Sequence, residues 1–196
     1  KSASQILDLF RQDNGEDLKN IAISVWATST MRNGGEDICQ ILYLLGVKPI
    51  WDGASRRVTD LEIIPLSILN RPRVDVTLRI SGMFRDAFPQ LVKLVSKAIY
   101  LIANLDETEI LNPLAGALKN GDTLHRIFGS APGSYGAGLQ ELISNASWTN
   151  LEDLGESYLN WSKWIYQEND EPIESKQSLE NVLKKIQLVV HNQDNR

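Results

Sequence analysis

Four arginines and two carboxylates crowd one run of this chain, RPRVDVTLRISGMFRDAFP from Arg71 to Pro89. Arg79 and Arg85 are suited to holding carboxylate groups of an anionic ligand, and Asp86 to accepting a proton. A second cluster, Arg32-Asn33-Gly34-Gly35-Glu36-Asp37, sets a cation and two acids on either side of paired glycines. A third, Gly129 to Gly138, is a loop with four glycines in which Ser134 and Tyr135 are the polar side chains best placed to touch a ligand. Each cluster has a plainer explanation that stays open. Arg85 and Asp86 suit a buried pair that holds a turn. Glu36 and Asp37 are acids of the kind a helix dipole favours in its first turn. The glycine loop suits a structural linker.

The elements that must position these groups are legible from periodicity. Val74, Val76, Leu78 and Ile80 alternate with Asp75, Thr77 and Arg79, which predicts a strand with one apolar and one polar face. Ser81-Gly82 then turns the chain into a helix expected from about Phe84 to Ala103. Residues 3–14 predict a helix stopped near Asn14-Gly15, and Ile21–Ala27 a buried strand. Ile38, Ile41, Leu42 and Leu45 recur at helical spacing up to Gly46, and Val47–Trp51 follows as a strand, so residues 21–51 predict a βαβ unit. A strand-like excursion is expected at 57–64, a helical turn near 65–69, and further helices near 107–119, 135–144, 151–167 and 174–190. The fold class is therefore α/β: a mainly parallel sheet flanked by helices in Rossmann-like layers, with a helical C-terminal third. The expected division is an α/β domain over 1–145 and a helical extension over 146–196, with a surface loop at Glu168–Pro172.

Composition removes several classes of function. Lys and Arg number 20 against 25 Asp and Glu, a net charge of −5, which argues against a nucleic-acid surface or an anionic membrane as partner. The apolar runs are too short to span a bilayer. Cys39 is the single cysteine, so an internal disulfide and a multi-cysteine zinc site are ruled out. Its place in ICQILYLLGV predicts a core thiol in a reducing compartment. The G-x-G-x-x-G spacing and the G-K-[ST] of a phosphate loop are both missing, so ATP binding is not expected. A serine-hydrolase elbow at Ser134 would need a glycine where Pro132 stands. His125 and His191 have no metal-binding spacing, and His191 is expected at a helix end. Tyr158, Trp161, Trp164 and Tyr166 are expected on one helix as packing residues.

The Arg71–Pro89 run resembles the signature of the large subunit of the cobalt and magnesium chelatases of tetrapyrrole biosynthesis. Trp26–Asp52, Ala54–Leu69, Arg126–Leu139 and the terminal NQDNR (Asn192–Arg196) match in the same order. Thr77-Leu78-Arg79-Ile80-Ser81 and the loop from Ala131 to Gly138 resemble the cobalt branch. The resemblance covers nearly the whole chain and implies an internal piece of a much longer subunit. It further implies a cytoplasmic complex in which this subunit holds the tetrapyrrole, Co2+ is a substrate, and separate AAA+ motor subunits hydrolyse Mg-ATP. The piece itself is expected to bind no cofactor and no resident metal. Metal insertion requires that a cation shed water, that the macrocycle be held, and that two pyrrole protons leave. On that implication Glu36 and Asp86 are the candidate catalytic groups, and Arg32, Arg79, Arg85, Ser134 and Tyr135 the candidate substrate contacts. Two other functions stand beside it. One is a docking or scaffold module, as in a magnesium chelatase large subunit, meeting the motor through residues 151–190. The other is a small stand-alone hydrolase or transferase centred on Arg85 and Asp86.

Overall fold

The computed structural model describes residues 2–136, 138–139, 143–145, 148–167 and 171–191. In chain order the elements are α1 (Ser2–Asn14), β1 (Asn20–Val25), α2 (Ala27–Asn33), α3 (Glu36–Leu45), β2 (Val47–Trp51), β3 (Val58–Ile63), α4 (Leu66–Leu69) and β4 (Asp75–Ile80). They continue with α5 (Gly82–Ala87), α6 (Pro89–Ala103), α7 (Pro113–Lys119), β5 (Ile127–Gly129), α8 (Leu151–Ser162), β6 (Trp164–Ile165), β7 (Ile173–Glu174), α9 (Lys176–Leu183) and β8 (Leu188–His191). Six strands form one sheet in the order β7-β6-β5-β4-β1-β8. The four strands β5, β4, β1 and β8 run parallel, whereas β6 and β7 close one side by antiparallel pairing. The expected α/β class with a mainly parallel sheet is the observed one.

The core lies on both faces of this sheet. Ile21, Ile23 and Val25 of β1 and Val76, Leu78 and Ile80 of β4 are buried, and Ile41, Leu45, Val95 and Ile102 of the covering helices pack with them. The polar face expected for β4 is also covered: Asp75 and Thr77 are buried too. A central parallel strand has helices or connections over both faces, so its polar side chains must find internal partners.

Several expected elements take a different form. The βαβ unit does not close through β2, because β2 pairs antiparallel with β3 in a separate two-stranded ribbon and the parallel partner of β1 is β4. Pro49 lacks the N–H that a central strand must donate, which confines β2 to an edge. The long helix expected from Phe84 is two helices. Phe88 leaves helical geometry at φ −130° and ψ 47° ahead of Pro89, whose ring disfavours a helical predecessor. The helix expected at 107–119 begins only at Pro113, after Asn112 caps it by accepting from the Ala115 N–H at 3.1 Å. Cys39 is exposed rather than in the core. It sits next to Ile38, whose side chain points inward, and one helical step of about 100° turns it outward.

The last third holds the two expected helices in shortened form, and the residues trimmed from them build β6 and β8. Residues on both sides of the expected boundary at 145/146 therefore supply strands to one sheet. The helix expected at 135–144 includes residues 137 and 140–142, which lie outside the described residues. So do 168–170 of the expected surface loop and the NQDNR segment, 192–196.

Candidate functional site

Strands β1, β4 and β5 are parallel neighbours, so the segments that leave their carboxyl ends share one edge of the sheet. These are the segments that carry the three polar clusters. The ends are tied together, since the Ser81 N–H donates to the Val25 carbonyl at 3.0 Å. The Ser81 hydroxyl caps α5 by accepting from the Phe84 N–H at 3.1 Å. Helix α5 then packs on α2 and presents Arg85 and Asp86.

Arg85 is the hub of this edge. Its Nε and Nη2 donate to the two carboxylate oxygens of Asp86 at 2.6 and 2.9 Å. Its Nη1 donates to the carbonyls of Ala131 at 2.7 Å and Ser130 at 3.2 Å. The Tyr166 hydroxyl donates to the same Ser130 carbonyl at 2.6 Å, and the Ser130 hydroxyl donates to the Ser134 carbonyl at 2.7 Å. Tyr135 closes the circuit by donating its hydroxyl to Asp86 Oδ2 at 2.8 Å. The loop can come this close because of Gly82: a Cβ there would stand 2.4 Å from the Ser134 carbonyl and 2.9 Å from the Tyr135 ring.

A second arginine pins the far side of the loop. Arg79 donates from Nε to the Ser162 hydroxyl at 2.9 Å, from Nη2 to the Gly136 carbonyl at 3.2 Å, and from Nη1 to the Ile80 carbonyl. Trp161 donates its indole N–H to the Gly136 carbonyl at 3.0 Å, and Ser157 its hydroxyl to the Gly138 carbonyl at 2.9 Å. The aromatic group expected on one helix thus divides between α8, β6 and the residue that follows β6. Two of its members, Trp161 and Tyr166, use their polar tips to hold the loop.

The electrostatics follow from these contacts. Arg85, hydrogen-bonded to Asp86, holds that carboxyl below the usual carboxylate range, and the pairing raises the guanidinium in turn. The Asp86 carboxylate pushes the Tyr135 phenol up, while burial does the same to Tyr166. Burial lowers the pKa of Arg79. Asp86 is consequently a fixed anion at neutral pH, a weak base that orients a donor better than it removes a proton. Its side chain remains 45 % exposed and Tyr135 60 % exposed, so the pair faces outward.

The first cluster is built by its own turn. Gly34 and Gly35 both adopt left-handed backbone at φ 70° and 89°, and Asn33 Oδ1 accepts from the Gly35 and Glu36 N–H groups at 2.9 and 3.0 Å. Asp37 is buried and accepts from the Ser29 hydroxyl at 3.3 Å, which makes it a structural acid. Arg32 and Glu36 are exposed, one at the end of α2 and the other opening α3.

Of the residues singled out in the sequence, Arg79, Arg85, Asp86, Ser134 and Tyr135 are gathered around one loop, Ser134 through its backbone carbonyl. Arg32 and Glu36 stand on the neighbouring crossover at the same sheet edge. The part played by Ser130, Ser162 and Tyr166 has no local sequence signal, because their partners are backbone carbonyls or side chains far along the chain. His191 is not at a helix end. It terminates β8 and meets Trp26 edge-on, with ring centroids 6.0 Å apart and an interplanar angle of 76°. Among the described residues, no group of three or more His, Cys, Asp and Glu is arranged to hold a metal ion. No helix among them is long and apolar enough to cross a membrane.

Comparison with known proteins fits this geometry to a family. The chain is 44 % identical over its whole length to the aerobic cobaltochelatase subunit CobN of Pseudomonas aeruginosa, and spans 17 % of that protein. It is 35 % identical to the magnesium-chelatase subunit ChlH of Oryza sativa, where the match takes in 85 % of the chain and 13 % of ChlH. The catalytic subunit of cobaltochelatase from Mycobacterium tuberculosis superposes with a TM-score of 0.93 at 41 % identity, covering 98 % of this chain and 17 % of that one. The sequence profile of the CobN/magnesium chelatase family matches residues 1–196, and the chain belongs to that family.

Proposed function

We propose that this chain is part of the tetrapyrrole-binding wall of the large subunit of an ATP-dependent aerobic cobaltochelatase, a cytoplasmic ligase that inserts Co2+ into a corrin-ring precursor. The observation that carries the proposal is the shared sheet edge. Three polar segments leave the carboxyl ends of adjacent parallel strands, the place where α/β sheets take their ligands, and Arg32, Glu36, Asp86 and Tyr135 are open to solvent there. Higher identity to the cobalt relative than to the magnesium relative supports the choice of metal.

The residues divide by role. Glu36, exposed in the first turn of α3, is the proton acceptor for a pyrrole N–H. Asp86, kept ionised by Arg85, orients the macrocycle or the hydrated cation, with the Tyr135 hydroxyl beside it. Arg32 meets a peripheral carboxylate. Arg79 and Arg85 spend their donors on the Ser162 hydroxyl, on Asp86 and on main-chain carbonyls that include Ala131 and Gly136, and act by positioning the loop, together with Ser134. Mg-ATP is hydrolysed by AAA+ partner subunits, so the isolated chain turns over neither ATP nor tetrapyrrole.

The test is Glu36→Gln in the full-length subunit, assayed with its partners. Loss of a general base lowers the insertion rate by about 100-fold or more, with tetrapyrrole affinity unchanged. An insertion rate equal to that of the unmodified subunit would remove Glu36 from the mechanism.

A further inference from the structure

Beside the first polar cluster lies a feature that the Arg85 network does not use. The β2–β3 ribbon stands over α3 and the start of α6, and between them runs an apolar groove of about 380 Å³ whose walls include Met31, Ile38, Pro49, Trp51, Phe88 and Leu91. Its volume lies in the range of small-molecule sites, about 300–1,000 Å³. Trp51 and Met31 are 59 % and 52 % exposed, an unusual cost for two large apolar side chains that sit together. Gly34 and Gly35 also line the groove, so it opens onto the same turn that presents Arg32 and Glu36.

Two arginines stand next to the groove. Trp51 pairs with Val58 across the ribbon, and both line the groove, so the connecting loop stands directly beyond this wall. That loop carries Arg56 and Arg57, both exposed. It is held in shape by hydrogen bonds from the Arg56 N–H to the Asp52 carbonyl and from the Asp52 N–H to the Arg57 carbonyl, each 2.9 Å. Arg56 is in left-handed backbone at φ 54°. The nearby acids are already engaged: Asp52 accepts from the Ser55 N–H at 2.7 Å, and Asp60 pairs with Lys97 at 2.9 Å. Glu36 is the exposed acid at the other end.

We infer that this groove takes the apolar face of the tetrapyrrole, with Arg56 and Arg57 meeting its peripheral carboxylates. The inference rests on the tetrapyrrole reading above and deepens it. Two aromatic side chains in the lining, Trp51 and Phe88, match the conjugated part of the macrocycle, guanidinium groups match carboxylates, and the groove opens on the glycine turn that precedes Glu36. A protein partner fits less well. A stable interface takes about 20–30 residues a side, whereas this groove is lined by 13.

The test uses the full-length subunit and a metal-free corrinoid bearing free side-chain carboxylates, followed by quenching of intrinsic fluorescence. Trp51→Glu and Met31→Glu, at positions more than half exposed, each weaken binding about tenfold or more. Arg56→Ala combined with Arg57→Ala weakens it several-fold and reduces its salt dependence. In the unmodified subunit, saturating corrinoid slows alkylation of Cys39, which lines the groove and is exposed, as read by peptide mass spectrometry. If the unmodified subunit binds the corrinoid and all three variants and Cys39 behave as though it were absent, the groove assignment is overturned and the tetrapyrrole reading stands. Failure of the unmodified subunit to bind any such macrocycle overturns the tetrapyrrole reading itself. Loss of motor-subunit binding in Trp51→Glu, with corrinoid affinity intact, would make the groove a protein contact and also overturn the inference.

Discussion

The two edges of the central sheet use the same chemistry, an arginine paired with a carboxylate, to opposite ends. At the amino edge Arg126 grips Asp75 through Nε at 2.8 and 3.0 Å, and both side chains are buried. Beside it Arg73 is 1 % exposed and pairs with Glu107 at 2.7 and 3.0 Å while donating to the carbonyls of Leu45, Gly46 and Ile64. At the carboxyl edge Arg85 is as well engaged, yet Asp86 and Tyr135 look outward. Full enclosure makes a pair a clasp between chain segments. Leaving the anion half open makes it a surface with a fixed charge.

The comparison can be broken most directly at Arg73. Arg73→Met takes the guanidinium away from Glu107 and from three carbonyls, and stability falls by about 3–5 kcal/mol. A urea midpoint that implies a loss under about 1 kcal/mol would show that enclosure does not separate the two edges. A smaller effect is expected at Gly82. Gly82→Ala drives a methyl into the Ser134 carbonyl, costs about 1–3 kcal/mol, and frees the loop from α5, which faster proteolytic cutting between 131 and 139 would report.

Asp86→Asn sharpens the contrast from the open side. Stability changes by less than about 1 kcal/mol because the carboxylate is largely solvated, but the Tyr135 phenol returns towards its ordinary value once the neighbouring charge is gone. Ultraviolet titration of the tyrosines detects this, and a Tyr135 titration identical to that of the unmodified chain would refute the coupling. The sign with acid also follows. Asp86 has its pKa lowered in the fold, so its contribution is complete above the ordinary carboxylate range and is lost as pH falls through the lowered value. Asp86→Asn removes that part of the acid sensitivity.

The smallest effect belongs to His125, at the amino edge, where its Nδ1 lies 3.1 Å from the Ser178 hydroxyl. Burial and the neighbouring Arg126 hold its pKa below the ordinary value. The unfolded chain therefore binds this proton more readily, and stability falls as pH drops through about 6.5. His125→Gln flattens the melting temperature between pH 7 and 5.5 relative to the unmodified chain. Parallel curves for the two would place the acid sensitivity elsewhere.

How much of this was legible depends on the range of each interaction. The long strands β1 and β4 and helix α3 declare themselves because six to ten residues carry a complete period and a glycine marks the stop. Strands β6 and β7 have two residues each, too few for any period, and exist because neighbours pair with them. The polar face read on β4 was correct as chemistry, and what buries it could not be read, since covering elements are invisible to local alternation. Pro49 and Pro89 carried the signals for the ribbon and for the helix break, and both were outweighed by the apolar pattern around them. In the candidate site, the adjacency of Arg85 and Asp86 could be read directly. Their clasp on Ser130 and Ala131 could not, because a carbonyl acceptor is common to every residue type.

The position of β8 bears on how the molecule assembles. β1, near the start of the chain, receives its outer neighbour only from Leu188–His191, with Ile21 opposite Leu188. During synthesis that flank of β1 stays unpaired until nearly all of the described chain has been made, and contacts so distant in sequence form slowly. An early intermediate thus carries an open strand edge able to recruit another chain. Pulsed hydrogen exchange during refolding should protect the β1–β4 amides before those of β8, and simultaneous protection of both would show that the last strand belongs to the nucleus.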